Sequence, residues 1–507
     1  MASKAYLGID LGAESGRAIV GLLEDDHLSL HEVHRFPNAQ YRKPTGLHWD
    51  LDALWDHILN GIRRGIDWSR ENGVRLTSVG VDTWGVDFGY LDDNGALLGP
   101  PHSHRDERNG PAYEKLIADL GREYLYEKTG IQFTPINSLP QVVAQREADR
   151  SVLDRADKLL FIPDLFHYML TGRKVVEQTI ASTSQMIDVH HGGWATEILD
   201  RLDIPTRMLA EIVPAGTRLG PLHPHIADQV GADDNLQVIC PATHDTASAV
   251  VAVPADASTT WAYISSGTWS LMGAELDKPC VSDAAREASL SNEGGVDGTI
   301  RFLKNIIGLW LVQECRRHWE KQGEIYDYDQ LTRAAAEAEP FRTLLDTFHP
   351  PLLNPDNMPT KIAEFARATG QPEPVEVGAV IRCCLESLAL TYRHTLDLLE
   401  HVLGCRFDVL HILGGGGKNR LLDQMTADAI GRPVVVGPEE ATAAGNLLIQ
   451  AKGAGDLRDL AHIRRVIKAS FQPETFTPRA TDAWDEAYRR FAGLLGASQS
   501  APTTSDS

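Results

Sequence analysis

The chain has 507 residues, enough for two sizeable domains, and its 43% hydrophobic and 23% charged content is an ordinary globular balance. A net charge of −22 argues against non-specific attraction to nucleic acid or to an anionic membrane, so an anionic ligand must be held by local backbone donors, a few basic groups or a metal ion. The start MASKAYLGID has no signal-peptide pattern and no apolar run of about 18 residues follows, which points to a cytoplasmic protein with no membrane partner. Six scattered cysteines make no metal-ligand spacing and read as reduced thiols, the adjacent Cys383 and Cys384 included.

In chain order, residues 5–9 and 15–23 read as two strands joined by Asp10-Leu11-Gly12-Ala13-Glu14-Ser15-Gly16-Arg17. Gly12 and Gly16 would let the main chain approach a phosphate closely, and Asp10 at the strand end could hold magnesium through water; an ordinary hairpin loop is the alternative. Residues 28–36 alternate like a third strand. Asp50 is placed to cap a helix carrying Leu51, Leu54, Trp55, Ile58 and Ile62 on one face. Residues 77–88 and 89–98 read as two further strands. Asp82, Trp84, Gly85 and Asp87 on the first are unusual for a plain core, and combine the apolar face, hydroxyl acceptors and close backbone approach that a sugar pocket uses. Residues 111–235 read as alternating helices and loops without catalytic spacing.

Residues 236–252 (LQVICPATHDTASAVVA) carry the sharpest signal. A short buried strand ends at Pro241, a polar Thr243-His244-Asp245-Thr246 cluster follows, and a small, apolar helix comes next. A carboxylate at such a strand-to-helix turn suits a general base for a hydroxyl, or simply a helix cap. Residues 261–272 then form two apolar arms around Ser265-Ser266-Gly267-Thr268, echoing residues 6–20 and implying an internal duplication. Asn305 is expected to open an amphipathic helix that carries Gln313. Residues 376–403 read as a long helix and 407–413 as a buried strand. Gly414–Gly417 fits neither a Walker A loop nor GxGxxG; it is a flexible turn or a place where something flat or anionic touches the backbone. A helix to Ile430, a strand at 433–436 and a helix at 440–450 follow.

DLGAESGR, GVDTWGVDF, GIQFTPIN, ATHDTASAV, SSGTWSLMG, NEGG followed by LKNIIGLWLVQ, NPD and the GGG turn occur in the order found in the FGGY family of carbohydrate kinases, within the actin/Hsp70-like ATPase superfamily. The chain resembles that family from about residue 5 to about residue 480. The resemblance implies an α/β protein of two ribonuclease-H-like domains, each with a mixed five-stranded sheet, around a central cleft. The expected boundaries are 1–250 for the sugar site and first phosphate turn, 251–490 for nucleotide binding, and 491–507 for a disordered tail. It also implies ATP and Mg2+ as cofactors and phosphorylation of a 6-deoxy ketose at its C1 hydroxyl by a monomer or homodimer. Another ketose or polyol is the alternative substrate; a sugar-responsive regulator is the non-enzyme alternative, although no DNA-binding helix-turn-helix or basic patch stands out.

Carried over by motif, Asp245 resembles the catalytic base, and Gly85, His244, Asp245, Thr246 and Asn305 match sugar-contacting positions. Ala13, Glu14, Ser15, Gly16 and Arg17 match the first nucleotide-binding turn, while Thr268, Gln313 and Gly415 match further nucleotide contacts. Asp10 matches the carboxylate that organises magnesium through water. Glu14 and His104 depart from the residues common at their positions, serine and tyrosine respectively.

Overall fold

The computed structural model describes residues 3–498 apart from Asp234, Ala257 and Ala480. The chain forms two compact units. The first runs to Pro254 and is completed by Glu275–Leu303 and Glu440–Gln472; the second comprises Ala255–Ala274, Lys304–Glu439 and the chain from Pro473.

A six-stranded sheet organises the first unit, in the order Arg218–Pro221, Gln237–Ile239, Leu76–Thr83, Lys4–Leu11, Ser15–Glu24, His27–Pro37. Lys4–Leu11 and Gln237–Ile239 both run parallel to Leu76–Thr83, whereas the strands from 15 to 37 return antiparallel. Side-chain alternation sets the two faces. Leu7 and Ile9 pack against Gly65 and Gly61 of the helix Leu51–Glu71, which Asp50 caps by accepting the Ala53 N–H at 3.1 Å. Gly8 and Gly80 point the other way, toward Asn446 and Gln450 of the helix Ala441–Gly453. From Ala443 to Ala451 that helix is apolar except for these two amides. Gln450 Nε2 donates to Leu7 O at 2.9 Å, and Ser78 Oγ donates to Gln450 Oε1 at 2.7 Å. These bonds satisfy polar groups that water cannot reach.

A second sheet has the order Ser291–Gly294, Ile300–Ile307, Trp269–Leu276, Trp261–Ser266, Val409–Leu413, Val434–Val436, Glu474–Phe476. Trp261–Ser266 and Trp269–Leu276 form an antiparallel hairpin, and Val409–Leu413 lies parallel to the first of them. The same arrangement of hairpin plus parallel strand opens the first sheet, in accord with the echo between 6–20 and 261–272. The two sheets are mixed, as expected, but have six and seven strands where five were expected in each.

Three local expectations differ. The strand at 77–88 stops at Thr83, because Val86 takes φ 70° and turns the chain before Phe88–Leu91. Asn305 lies in the strand Ile300–Ile307, not at a helix start; the helix Trp310–Lys321 begins only after Gly308 and Leu309 have given their N–H groups to Thr268 and Gly267 carbonyls. The final helix, Thr481–Ser498, takes in 491–498 of the stretch expected to be disordered, and 499–507 lie outside the described residues. No described helix is long and apolar enough to cross a membrane.

The closest helix pair in the first unit is Asp245–Val251 on Ala441–Gly453. A Cβ at Gly445 would come within 1.8 Å of the Ser248 carbonyl oxygen, a backbone atom that cannot swing aside. Gly445→Ala should therefore destabilise the protein by about 1–3 kcal/mol or more. Gly493→Ala, in a helix where nothing lies within 4 Å, should be neutral or stabilising. Thermal unfolding of the two variants beside the parent protein checks both signs.

Candidate active site

Three parallel strands of the first unit end at one edge, and each delivers an aspartate there. Asp10 and Asp82 are register partners on neighbouring strands. Beyond the third strand, Thr83 N donates to Thr243 O at 2.8 Å, which ties the 243–246 turn to the end of Leu76–Thr83. Asp245 is the first residue of the helix Asp245–Val251, and the capping position is held by His244. Asp245 is thus not the cap. Its Oδ1 accepts Thr246 N at 2.5 Å and Thr246 Oγ1 at 3.1 Å, which fixes the carboxylate while leaving 31% of the side chain exposed.

The charges here are in tension. Asp82 is fully buried; Asn446 Nδ2 donates to its Oδ2 at 2.5 Å, and its Oδ1 has no hydrogen-bond partner among the described residues. Burial, then the neighbouring Asp10, push the Asp82 carboxyl far above the usual carboxylate range. Burial likewise pushes Asp245 up, against the pull of His244 and the Thr246 donors. Arg17 offsets part of this, with Nη2 at 2.5 Å from Asp10 Oδ2 and Nη1 on Glu440.

His244 and Gly85 meet. A Cβ on Gly85 would lie 3.3 Å from His244 Nε2 and 3.3 Å from the Thr183 methyl, so the absent side chain leaves room in front of the imidazole. Asp87 does not share this opening. It is fully buried and accepts from Trp49 Nε1 (2.6 Å), Trp84 Nε1 (2.9 Å) and Gln141 Nε2 (3.0 Å), with His104 Nδ1 at 2.8 Å. Its role is to clamp the two indoles, whose rings lie 4.1 Å apart, and His104 is one of its partners.

The turn Gly12–Ser15 is braced by Asn38, whose side chain donates to Gly12 O at 2.8 Å and whose N–H donates to Glu14 O at 3.0 Å. Ala13 is half-buried, and Glu14 and Ser15 are exposed. Gly16 is needed for packing: a Cβ would sit 2.3 Å from the Phe36 ring. In the second unit, Gly416 is pressed on Ser266, Gly417 on Val436, and Gly414 takes φ 82°. Gly415 alone of the four faces open space. Thr268, on the Ser266–Trp269 turn, is half-buried, and its carbonyl accepts from Gly308 and Trp310. Gln313 has a buried Oε1 with no partner among the described residues, and Asn305 is half-buried on its strand.

Residues 5–252 match the N-terminal domain of the FGGY family of carbohydrate kinases, and residues 262–454 match its C-terminal domain. The chain belongs to the FGGY family of carbohydrate kinases. It is 42% identical to a rhamnulokinase of Bacteroides thetaiotaomicron over 97% of this chain and 99% of that protein. It is 41% identical to a rhamnulokinase of Pectobacterium carotovorum over 97% of each. A gluconate kinase from Lactobacillus acidophilus, at 14% identity, shares the fold with a TM-score of 0.81 over 99% of both chains.

Several residues that build this kinase's site carry no local sequence signal. Glu177 Oε2, fully buried, accepts Thr243 N at 3.0 Å, Thr243 Oγ1 at 2.9 Å and Thr179 Oγ1 at 2.5 Å. Thr179 Oγ1 in turn accepts His244 N at 3.2 Å. The turn that carries the histidine and Asp245 is therefore held from beneath. Nearby, Asp164, His167 and Cys240 bring three potential ligand atoms together. His167 Nε2 accepts the Val81 N–H at 3.0 Å, which leaves the ring proton on Nδ1, facing Cys240 Sγ at 3.8 Å. That is a hydrogen-bond relay, and the histidine has no lone pair left for a metal.

The Asp87 clamp has a pH signature. Burial alone would raise this carboxyl, but His104, Trp84 and Trp49 outweigh it and hold it below the usual carboxylate range. A depressed folded-state value means stability that is present above the unfolded pKa and lost as the pH falls through the folded one. Asp87→Asn should therefore destabilise this kinase at neutral pH, with the difference from the parent narrowing below about pH 4. Chemical denaturation of both proteins across that range checks the sign.

Proposed function

We propose that this kinase transfers the γ-phosphoryl group of ATP to O1 of L-rhamnulose, giving L-rhamnulose 1-phosphate and ADP, and serves L-rhamnose breakdown in the cytoplasm. The observation that carries the reading is near-full-length similarity to rhamnulokinases at about two residues in five, joined to an aspartate fixed at a strand-to-helix turn beside a glycine-lined opening.

In this reading Asp245 is the base. Its carboxylate takes the proton of the C1 hydroxyl as that oxygen bonds to the γ-phosphorus, and the bond from phosphorus to the bridging oxygen breaks to release ADP. Residence in a poorly solvated pocket raises the proton affinity of Asp245, which suits it to this work. His244, Thr246 and the Gly85 backbone line the ketose in the first unit, and Asn305 is assigned to the sugar in the second. Ala13, Glu14, Ser15, Gly16 and Arg17 take nucleotide phosphate, with Thr268, Gln313 and Gly415 as the second unit's nucleotide residues. The exposure of Glu14 and Ser15, the open face of Gly415 and the Gln313 amide oxygen, unpartnered among the described residues, support those assignments.

The aspartate edge fits a divalent cation: Asp10 and Asp82 are neighbouring carboxyls on adjacent strands, Arg17 pairs with Asp10 and Glu440 rather than with Asp82, and Asp82 Oδ1 is unpartnered among the described residues. Asp10 would hold Mg2+ through water. When bound, the ion supplies positive charge to the transferring phosphoryl group.

Asp245→Asn should lower kcat by about 10²–10⁴ while leaving ATP affinity unchanged. Steady-state turnover with equilibrium nucleotide binding is the measurement, and turnover near that of the parent would remove Asp245 as the base. Across a panel of sugars, L-rhamnulose should give the highest kcat/KM. L-fuculose and L-xylulose should be slower but detectable, because an extra hydroxyl against an apolar wall costs only about 1–3 kcal/mol. Glycerol and D-gluconate should be poor; if either outran every ketose, the rhamnulose assignment would fall and the family assignment would stand.

A further inference from the structure

The NEGG motif, residues 292–295, has no role in the mechanism above, yet it sits directly behind the sugar-facing histidine. Glu293 pairs across the antiparallel strands with Arg301, and the two side chains form an ion pair at 2.9 Å. Both are buried, the Arg301 side chain being 1% exposed. Arg301 Nε donates to Gly294 O at 2.9 Å, which fixes the plane of the guanidinium. Its Nη2 then lies 3.0 Å from His244 Nδ1, in hydrogen-bonding geometry.

That contact dictates the protonation pattern of the imidazole. A guanidinium nitrogen has protons to give and no lone pair, so Nδ1 must accept. Glu293 Oε2 lies farther from Nδ1, at 3.3 Å, and its shorter contact is the 2.9 Å ion pair with the guanidinium. The ring proton therefore resides on Nε2. This is the nitrogen that faces the space at Gly85 and lies 3.4 Å from Asp245 Oδ1. The backbone of His244 is held by Thr179 and by its bridge to Thr83, so the ring has little freedom to escape the arrangement.

We propose that Arg301, oriented by Glu293, is a positioning residue that holds His244 as its Nε2–H tautomer, so that the imidazole presents only a hydrogen-bond donor to the ketose. The consequence for recognition, which rests on the function proposed above, is that His244 reads a sugar oxygen through its lone pair, a carbonyl or a hydroxyl acting as acceptor. The same N–H directed at Asp245 favours the ionised base over its protonated form. A buried ion pair is a poor source of net stability when compared with well-packed apolar residues. A pair retained behind a ligand-facing histidine has an orienting task.

The test begins on the full chain without ligands, labelled with 15N-histidine. Two-bond 1H–15N correlation spectra separate the tautomers, and the signals that vanish in His244→Asn belong to His244. The expected result is a protonated Nε2 and an unprotonated Nδ1 at neutral pH. A protonated Nδ1 overturns the proposal whatever the sugar turns out to be, so a failure here is distinct from a wrong substrate. The paired variant Glu293→Gln/Arg301→Met removes both charges and leaves neither buried alone. It should lose the Nε2–H pattern and raise the ketose KM by about tenfold while the ATP KM stays within about twofold, and Arg301→Lys should recover part of the loss. An unchanged tautomer, or sugar and ATP constants that rise together, would mean that the pair is structural only. Should the paired variant fail to fold, the spectrum of the parent protein still decides.

Discussion

The first unit brings three carboxyl groups, those of Asp10, Asp82 and Asp245, to one edge of its sheet. Parallel strands that end at one edge concentrate whatever their ends and following turns carry, and here they carry carboxyl groups that cannot all ionise freely. Asp82 is fully buried, so an ionised carboxylate there would lack solvation; burial, then the neighbouring Asp10, make its proton hard to remove. What keeps the edge intact is a small set of donors: Arg17 on Asp10, Asn446 on Asp82, and Thr246 on Asp245. The remaining deficit of positive charge at this edge is of the sign that attracts a cation.

One of those donors comes from a distant part of the chain. Asn446, like Glu440 that accepts from Arg17, belongs to Glu440–Gln472, with which the chain rejoins the first unit before it returns to the second at Pro473. The helix Ala441–Gly453 meets the sheet through Asn446 and Gln450, whose amides reach Gly80, Asp82, Leu7 and Ser78. A fragment that ended at Pro254 would contain all three aspartates but lack the amide that satisfies Asp82. Such long-range closure carries a loop-entropy cost that only the finished packing offsets.

What was legible in the sequence was local. The hairpin around residues 12–15, the Asp50 cap, the strand-to-helix turn at Asp245 and the long helix Val377–Leu403 each follow from periodicity and a cap or turn residue within a few positions. What escaped depends on contacts between remote segments. Nothing near Gly16 announces that the Phe36 ring will occupy its Cβ space, and nothing in the GGGG run says that only Gly415 stays open. The alternation of residues 77–88 hides a left-handed Val86, a conformation that a β-branched residue takes only when surroundings impose it. Here Thr183 Oγ1 accepts the Val86 N–H at 3.1 Å and Ser138 Oγ donates to its carbonyl at 2.6 Å. Asn305 looked like a helix start because apolar residues follow it at helical spacing; strand pairing beside Trp269–Leu276 won instead.

Two buried carboxylates beneath the site show how one residue type yields opposite outcomes from its surroundings. Asp87 faces His104 and three N–H groups committed to it, and its charge is favoured despite burial. Glu177 also collects donors, yet burial wins and its carboxyl rises above the ordinary value. Both act by holding a loop. Asp87 fixes the indoles that flank the Trp84–Asp87 turn, and Glu177 fixes Thr243 and, through Thr179, the main chain of His244. The opening at Gly85 lies where these two loops meet, with His244 on one side and Thr183 on the other. Phosphoryl transfer depends on placing an oxygen and a base more than on making new covalent contacts to the protein. Clamping both loops from within the core fixes the atoms around Gly85 and His244, and groups held by buried hydrogen bonds need no reorganisation when charge moves.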